Sequence, residues 1–269
     1  MPNRMQFPDA TLFPSSLAAP ALDTDVDADL DVDNGNFDAA GFTAETLSDW
    51  RRLAAVIDHT LLKPDATRTQ VENVCDEAIR YRFACAMVNP VWVPTAATLL
   101  AGTGVPVGVV IGFPLGASLA STLRQETAAL IRLGAREVDM VISIGQLKSG
   151  EHAQVERTIR GVAEVAHNHG ALLKVILETC LLSVEEKLRA SEIAIQAGTD
   201  FLKTSTGFSN SGATAVDVAL LRGVAGARCG VKASGGIRSL ADAKTMLEAG
   251  ANRIGASASV AIVRELGAE

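Results

Sequence analysis

Short apolar runs alternate with longer amphipathic segments from residue 56 onward, and this alternation restricts the possible folds more than any other feature of the sequence. The segments at residues 122–133, 184–197 and 240–249 carry apolar side chains at helical spacing. Such an alternation is typical of βα units arranged around a parallel sheet. The predicted strands are residues 56–60, 83–88, 107–113, 137–143, 172–178, 200–205, 230–234 and 252–256.

Eight βα units within about 220 residues suit a (β/α)8 barrel, also called a TIM barrel. A doubly wound open sheet is the alternative. However, no Gly-x-Gly-x-x-Gly follows a predicted strand, which argues against the dinucleotide-binding form of that sheet. The fold class is therefore predicted to be α/β, with a single TIM barrel domain over residues 42–269. Within that domain a helix beginning near Thr43 is expected before the first strand.

The first part of the chain differs from the rest in charge and composition. Residues 1–50 carry ten acidic side chains and only Arg4 as a base, whereas the remaining residues carry 23 basic and 21 acidic side chains. Pro, Ser, Ala and Asp dominate and apolar periodicity is missing, so residues 1–41 are predicted to form an acidic, disordered extension. With 23 basic and 21 acidic side chains, the remaining residues have a net charge of only +2, too small a basic excess to attract nucleic acid.

Aspartates at every second position from Asp23 to Asp33 invite comparison with a calcium-binding loop. With Asp29 at position one, Asn34 stands at position six, where the loop needs glycine for a sharp turn. Ala40 stands at position twelve, where a bidentate glutamate belongs. A solvated acidic tail is therefore the better interpretation.

Two further features bear on where the protein acts. Residues 83–123 carry no charged side chain, but four prolines prevent any helix long enough to cross a membrane. The first residues lack the uninterrupted apolar stretch of a secretory signal. The four cysteines show no CxxC or metal-ligand spacing, which fits reduced thiols. We therefore expect a cytoplasmic protein that binds neither membranes nor nucleic acid.

Two lysines and an aspartate are predicted near the C-terminal ends of inner barrel strands, where barrel enzymes carry their reactive groups. Because side chains alternate between the two faces of a strand, Lys203 and Lys232 are expected on the inner faces of neighbouring strands. Asp139 is expected two strands away. Each residue alone could belong to a structural ion pair, but together they indicate a reactive lysine.

Two ammonium groups held close together in a partly desolvated pocket disfavour double protonation, so one of the lysines loses its proton more easily. An unperturbed lysine, with a pKa of about 10.4, is uncharged in only about one molecule in two thousand at pH 7. A pKa of about 7–8 supplies a usable neutral amine, which can attack a carbonyl carbon and form an imine. An aspartate with an ordered water could move the protons that these steps need.

Loops rich in glycine and hydroxyl groups follow the last two predicted strands. Residues 234–238 (SGGIR) precede a helix start at Ser239, and residues 255–257 (GAS) precede another helical segment. Glycines let backbone N–H groups approach an anion and use the positive end of a helix. Barrels commonly bind phosphate between the loops after strands seven and eight. These loops therefore predict a phosphate site, although a pair of glycines can also be a simple turn.

Six segments between Val56 and Val263 resemble the deoxyribose-phosphate aldolase family. They are residues 57–64 (IDHTLLKP), 111–116 (IGFPLG), 138–142 (VDMVI), 173–179 (LKVILET), 201–207 (FLKTSTG) and 231–238 (VKASGGIR). The resemblance implies a class I aldolase on a TIM barrel that needs no metal or other cofactor. Such an enzyme splits 2-deoxy-D-ribose 5-phosphate reversibly into D-glyceraldehyde 3-phosphate and acetaldehyde.

The resemblance also implies roles for individual residues. Lys203 matches the lysine that forms the Schiff base, Lys232 the lysine that tunes it, and Asp139 the acid/base that transfers protons. The residues that match the phosphate-side loops are Gly207, Gly235, Gly236, Arg238, Gly255 and Ser257. Asp58, Thr60 and Thr206 are added as candidate substrate-binding residues because they are polar and lie at predicted strand ends. The implied partners are small molecules, namely a phosphorylated deoxy sugar and aldehydes, and the resemblance also suggests a homodimer.

Three features depart from the family's pattern. Ser143 stands where an asparagine is common, which alters the hydrogen bonding available near the site. Met87 stands where a cysteine is common. Some members end in a tyrosine that reaches the site, whereas the only tyrosine here is Tyr81.

Two other functions stay open at this point. The first is a class I aldolase that prefers a different acceptor aldehyde. The second is a non-catalytic barrel that binds sugar phosphates, in which the lysines would only pair with phosphate.

Overall fold

The computed structural model describes residues 37–269 of the protein. In this part of the chain, parallel strands pair in chain order and close into a barrel of eight, because β1 also pairs with β8. The strands are β1 (Ile57–Leu61), β2 (Cys85–Val88), β3 (Val107–Ile111), β4 (Ala135–Val141), β5 (Leu172–Ile176), β6 (Phe201–Lys203), β7 (Gly230–Ser234) and β8 (Arg253–Ala256). Each predicted strand overlaps one of these, and the prediction of a TIM barrel is confirmed.

Helices connect the strands and surround the barrel. They are α1 (Ala39–Thr46), α2 (Trp50–Ala54), α3 (Arg68–Tyr81), α4 (Val93–Leu99), α5 (Ala120–Arg132), α6 (Ile144–Lys148), α7 (His152–His167), α8 (Val184–Gln196), α9 (Ala215–Ala225), α10 (Leu240–Glu248) and α11 (Ser259–Glu265). Short 3-10 helices occur at Pro90–Trp92 and Thr179–Leu181. Among residues 37–269, no helix combines the length and apolar character that crossing a membrane requires.

Helix α3 shows how the sequence sets a helix against the barrel. The Thr67 hydroxyl accepts from Gln70 N while the Gln70 side chain accepts from Thr67 N, which closes a capping box at the first turn. Val71, Val74 and Ala78 follow at spacings of three and four residues and are buried. Fully burying a valine side chain stabilises the fold by roughly 1.5–3 kcal/mol, so this apolar stripe holds α3 on the strands.

The first helix begins earlier than expected, and the predicted apolar stripe at Trp50, Leu53 and Ala54 belongs to a separate helix, α2. The helix predicted near Thr43 begins at Ala39, because the Asp38 carboxylate accepts a hydrogen bond from Gly41 N and caps the first turn. Residues 39–41, assigned to the disordered extension on sequence grounds, are therefore helical. Helix α1 packs against α10, and α2 packs against α11. The rest of the extension and the aspartate run at 23–33 lie outside the described residues.

The interior of the barrel has two chemically different halves. The apolar half consists of Leu62, Cys85, Met87, Val110 and Phe113. Gly108 makes room for it, since a Cβ at that position would lie only 2.4 Å from Cys85 Sγ. The charged half consists of Asp58, Glu137, Asp139, Lys174, Lys203, Lys232 and Arg253. Every strand from β4 to β8 contributes to the charged half.

Candidate active site

The three residues predicted to carry the chemistry converge inside the barrel. Lys203 and Lys232 are register partners on β6 and β7, so they point to the same side at the same height. Asp139 on β4 reaches both of them, with Oδ2 2.8 Å from Lys203 Nζ and 2.7 Å from Lys232 Nζ. Lys203 is 3% exposed, and the other two side chains are fully buried. A single carboxylate oxygen therefore bridges two ammonium groups in a dry environment.

Further charged side chains surround this trio, and the sequence reasoning did not assign them to the site. Lys174 on β5 lies 2.8 Å from Asp139 Oδ1 and 2.5 Å from Glu137 Oε2. Arg253 on β8 donates to Asp58 at 2.9 Å and to Glu137 at 3.3 Å. The available signal was a charged residue at an inward position of a strand, which Glu137, Lys174 and Arg253 all share.

The charged half contains more cations than anions. Lys174, Lys203, Lys232 and Arg253 face three carboxylates, so full ionisation leaves one positive charge in excess. A buried net charge is costly, and the least costly remedy is for one lysine to lose its proton. Neutralising one lysine brings the charged half to zero net charge.

Lys203 is the lysine whose pKa is lowered. Burial lowers it most, Asp139 opposes that effect, and the charges of Lys232 and Lys174 lower it further, to about 8. By contrast, Asp139, Glu137 and Asp58 outweigh burial and raise the pKa of Lys174 well above its ordinary value. Lys203 is therefore the amine that becomes neutral near physiological pH.

Asp139 and Asp58 stay ionised. Burial alone would raise the pKa of Asp139, but Lys174, Lys203 and Lys232 hold it well below its ordinary value. Burial has the same opposing effect on Asp58, where Lys232, Lys174 and Arg253 lower the pKa to about 2. Asp139 is thus a charged proton acceptor in contact with the amine.

A cleft of about 280 Å³ opens above Lys203 at the C-terminal end of the barrel. Most of the residues expected to bind substrate line it, namely Thr60, Thr206, Gly207, Gly235, Gly236, Arg238, Gly255 and Ser257. Asp58 does not line the cleft, because it is fully buried beneath it against Lys232 and Arg253. Lys63 and Phe208 also line the cleft, and the sequence reasoning had not assigned them to the site.

The loops after β6 and β7 have the backbone shape that an anion needs. Gly207, Gly235 and Gly236 all have φ between 83° and 85°, in the left-handed region that favours glycine. Gly235 also lies so close to the neighbouring loop that a Cβ there would be 3.1 Å from Gly212 Cα. Helix α10 begins directly after this loop, with Ser239 as its N-cap. The first N–H groups of α10 are already bonded, because Ser239 N donates to Asp242 and Leu240 N donates to Glu265. An anion in the cleft would therefore meet the glycine loops and not the end of α10.

One group of side chains within residues 37–269 has the spacing of a metal site. Asp58, Cys85 and Glu137 each place a ligand atom within 4.8 Å of the others. However, Lys174 lies 2.5 Å from Glu137, and Arg253 contacts both carboxylates. Burial, Glu137 and Asp58 also raise the pKa of the Cys85 thiol well above its ordinary value, so the thiolate is disfavoured. These residues do not fit a metal ion.

The single tyrosine lies at the opposite end of the barrel from the cleft. Tyr81 is the last residue of α3, which leads into the N-terminal end of β2. Its hydroxyl donates to the backbone oxygen of Glu269 at 3.2 Å. The tyrosine therefore has no part in the site.

Known proteins resemble this chain closely. Residues 52–265 match the model of the DeoC/LacD family aldolase. The deoxyribose-phosphate aldolases of Geobacillus sp. (strain WCH70) and Listeria monocytogenes are each 56% identical over 211 residues, which cover 78% of this chain and 94% of the relative. A solved structure of deoxyribose phosphate aldolase from Aeropyrum pernix, described as a tetramer, matches with a TM-score of 0.79 and 36% sequence identity. The match covers 85% of this chain and 96% of the Aeropyrum pernix chain. The chain belongs to the DeoC/LacD aldolase family.

Proposed function

We propose that this protein catalyses the reversible cleavage of 2-deoxy-D-ribose 5-phosphate into D-glyceraldehyde 3-phosphate and acetaldehyde, through a Schiff base on Lys203. The observation that carries the proposal is a buried lysine with a pKa of about 8, in contact with Asp139, at the floor of the cleft. The similarity to relatives named deoxyribose-phosphate aldolase supports the choice of substrate.

The first step forms the imine. Neutral Lys203 attacks C1 of the open-chain sugar, and the resulting carbinolamine loses water to give a protonated imine. Asp139 lies 2.8 Å from Nζ, within reach of the protons that leave and return during these steps. Lys232 keeps its contact with Asp139 throughout and stabilises the carboxylate as the charges around it change.

The second step breaks the bond between C2 and C3. A base removes the proton of the C3 hydroxyl, C3 becomes the aldehyde carbon of glyceraldehyde 3-phosphate, and the bonding electrons move into the imine to form an enamine. Protonation of C2 and hydrolysis then release acetaldehyde and free Lys203. The imine is the electron sink, so this route needs no metal. We assign the proton transfers to Asp139, working through a water molecule.

The phosphate group fits the other end of the cleft. Arg238 supplies a cation there, and the positive-φ glycines of the two loops expose backbone N–H groups without a side chain in the way. We therefore assign phosphate binding to Gly207, Gly235, Gly236, Arg238, Gly255 and Ser257. Thr60 lines the cleft on the β1 side and is assigned to the sugar.

Reductive trapping tests this function. Incubation with acetaldehyde followed by borohydride should attach an ethyl group irreversibly to Lys203, located by peptide mass spectrometry. The Lys203→Arg variant should gain none, because an arginine stays protonated. The matched control Lys244→Arg, at an exposed lysine on α10, should be labelled like the wild type. A barrel that only binds sugar phosphates would show no adduct on Lys203.

Assembly and location are further parts of the proposal. A homodimer follows from the family resemblance alone, and the similar Aeropyrum pernix enzyme is described as tetrameric. Light scattering during size-exclusion chromatography distinguishes the two. Cytoplasmic location stays a prediction.

A further inference from the structure

Glu178, which lies between β5 and α8, has an unusual backbone and an enclosed side chain. Its φ and ψ are 56° and 61°, in the left-handed region. Among residues 37–269 only Arg82 shares a positive φ without being glycine. This conformation costs a residue with a Cβ roughly 1–2 kcal/mol, and it persists only where the surrounding contacts hold it. The side chain is 2% exposed.

The contacts that hold Glu178 come from the loop that follows Lys203. Thr206 N lies 3.4 Å from Oε1 and 3.3 Å from Oε2 of the carboxylate. The Thr206 hydroxyl donates to Oε2, and it accepts from Phe208 N at 3.0 Å. Thr179 N also donates to Thr204 O at 3.0 Å. One buried carboxylate therefore ties the loop from Lys203 to Phe208 to the end of β5.

These contacts change the role that can be assigned to Thr206. Thr206 lines the cleft, but both of its donors, the backbone N–H and the hydroxyl, are directed to Glu178. Its hydroxyl therefore has no hydrogen left to donate to a substrate oxygen. The next residue, Gly207, also lines the cleft and lies close to Gly235 of the facing loop, so its backbone N–H is the candidate donor on this side.

We propose that Glu178 is a positioning residue that sets the direction of the Gly207 N–H, and so the affinity for the phosphate group, by fixing Thr206. The proposal rests on the function proposed above. Lys203 itself is held separately, by pairing of β6 with β5 and β7 and by Asp139. Loss of the Glu178 contact should therefore weaken phosphate binding while leaving the reaction at C1 to C3 in place.

A double-mutant cycle tests the pair. Glu178→Gln replaces one acceptor oxygen with a donor, and Thr206→Val removes the hydroxyl while keeping the shape. Each variant should raise the KM for 2-deoxy-D-ribose 5-phosphate about tenfold, which corresponds to about 1.4 kcal/mol, with a smaller change in kcat. The double variant should be no worse than the poorer single variant. The rate with unphosphorylated 2-deoxy-D-ribose should change less than about twofold.

Matched controls accompany the cycle. Thr206→Ser keeps the hydroxyl and should retain the wild-type KM. Glu164→Gln makes the same chemical change at an exposed position on α7 and should have no effect. Thermal unfolding of every variant shows which of them are folded, and if Glu178→Gln unfolds, Thr206→Val and Thr206→Ser still carry the comparison.

Three results would overturn the inference or its basis. Additive losses would make Thr206 an independent substrate ligand. Equal losses with the phosphorylated and the unphosphorylated sugar in folded variants would mean that Glu178 supports the chemistry rather than phosphate binding. A wild-type protein that cleaves neither sugar would instead remove the proposed function, and the inference with it.

Discussion

The apolar half and the charged half of the barrel interior lie next to each other, but their side chains differ completely in polarity. The apolar half, from Leu62 to Phe113, contains no charged group, and the one ionisable side chain in it, Cys85, is kept as a thiol. The charged half packs four cations and three carboxylates into a space with almost no solvent.

This difference shows which part of the interior lowers the stability of the fold while it provides a reactive group. Apolar packing lowers the free energy of the folded state wherever it occurs. A buried cluster with unequal numbers of cations and anions does not lower this free energy in the same way, because no opposite charge compensates the desolvation of the unmatched one. In the charged half the unmatched charge falls on Lys203, the residue to which the proposed chemistry belongs. Removing that unmatched charge should therefore stabilise the fold, whereas removing a matched charge or an apolar contact should destabilise it.

Replacing Lys203 with methionine should have the largest effect and should separate activity from stability. Cleavage should fall at least about a thousandfold, because no neutral amine remains at the floor of the cleft. The free energy of unfolding at pH 7 should nevertheless rise by about 3 kcal/mol, since the pKa of Lys203 is about 8 in the folded state and 10.5 in the unfolded state.

The pH dependence gives the sign of that effect. Below pH 8 Lys203 is protonated in both states but binds its proton more weakly in the folded state. The full loss in the free energy of unfolding is therefore present. This loss disappears as pH rises from about 8 to 10.5, so the advantage of Lys203→Met should shrink over that range. Denaturant titrations at several pH values measure it, with Lys244→Met as the exposed control. Equal stability of variant and wild type at pH 7 would contradict the charge argument.

Replacing Lys174 on the neighbouring strand β5 with methionine should lower the free energy of unfolding instead of raising it. Lys174→Met leaves Glu137 and Asp139 without the ammonium that contacts both, so unfolding should become easier by about 3–5 kcal/mol. In the apolar half, Met87→Leu conserves volume and should cost less than about 1.5 kcal/mol. Denaturant unfolding at pH 7 compares the two directly. A loss for Lys174→Met no larger than that for Met87→Leu would mean that Arg253 and Lys232 alone compensate the carboxylates.

Acid should weaken the charged half and spare the apolar half. The pKa of Asp58 is about 2 in the folded state against 3.8 in the unfolded chain, which corresponds to about 2 kcal/mol. This contribution is complete above pH 3.8 and is lost as pH falls through 2. Asp58→Asn should therefore show a shallower loss of stability with acid than the wild type, while Met87→Leu should follow the wild-type slope. Identical slopes for all three proteins would assign acid unfolding to other carboxylates.

Much of this arrangement could be predicted from the sequence, and the reason lies in strand periodicity. Lys203 and Lys232 belong to consecutive strands of one barrel, so alternation of side chains was enough to bring them together with Asp139. The ion pairs of Lys174 and Arg253 depend on how far each strand is shifted along its neighbour, which periodicity does not give. The same shift is what places Asp58 beneath the cleft instead of at its wall.

Two other features depended on contacts that the sequence pattern does not encode. Helix α1 begins at Ala39 because the side chain of Asp38 turns back to cap it, and several acidic residues nearby could have done the same. The Glu178 carboxylate contacts Thr206 from a residue whose own backbone adopts a left-handed conformation. Neither a left-handed glutamate nor its partner is predictable from local propensity.

The smallest expected effect tests how the lysines of the charged half influence one another. Lys232 lowers the pKa of Lys203 through its positive charge, so Lys232→Met should raise that pKa from about 8 toward the ordinary value of 10.5. Because only the neutral amine reacts, the midpoint of the rise in kcat/KM with pH should move in the alkaline direction. Activity at pH 7 should fall about tenfold for each unit of that movement and should recover at high pH.

Met87→Leu is the matched control from the apolar half, and its midpoint should stay where the wild type has it. A loss of activity in Lys232→Met that is the same at every pH would show that Lys232 acts on the substrate directly. An alkaline shift in both variants would show that the shape of the barrel interior, and not the charge of Lys232, sets the pKa of Lys203.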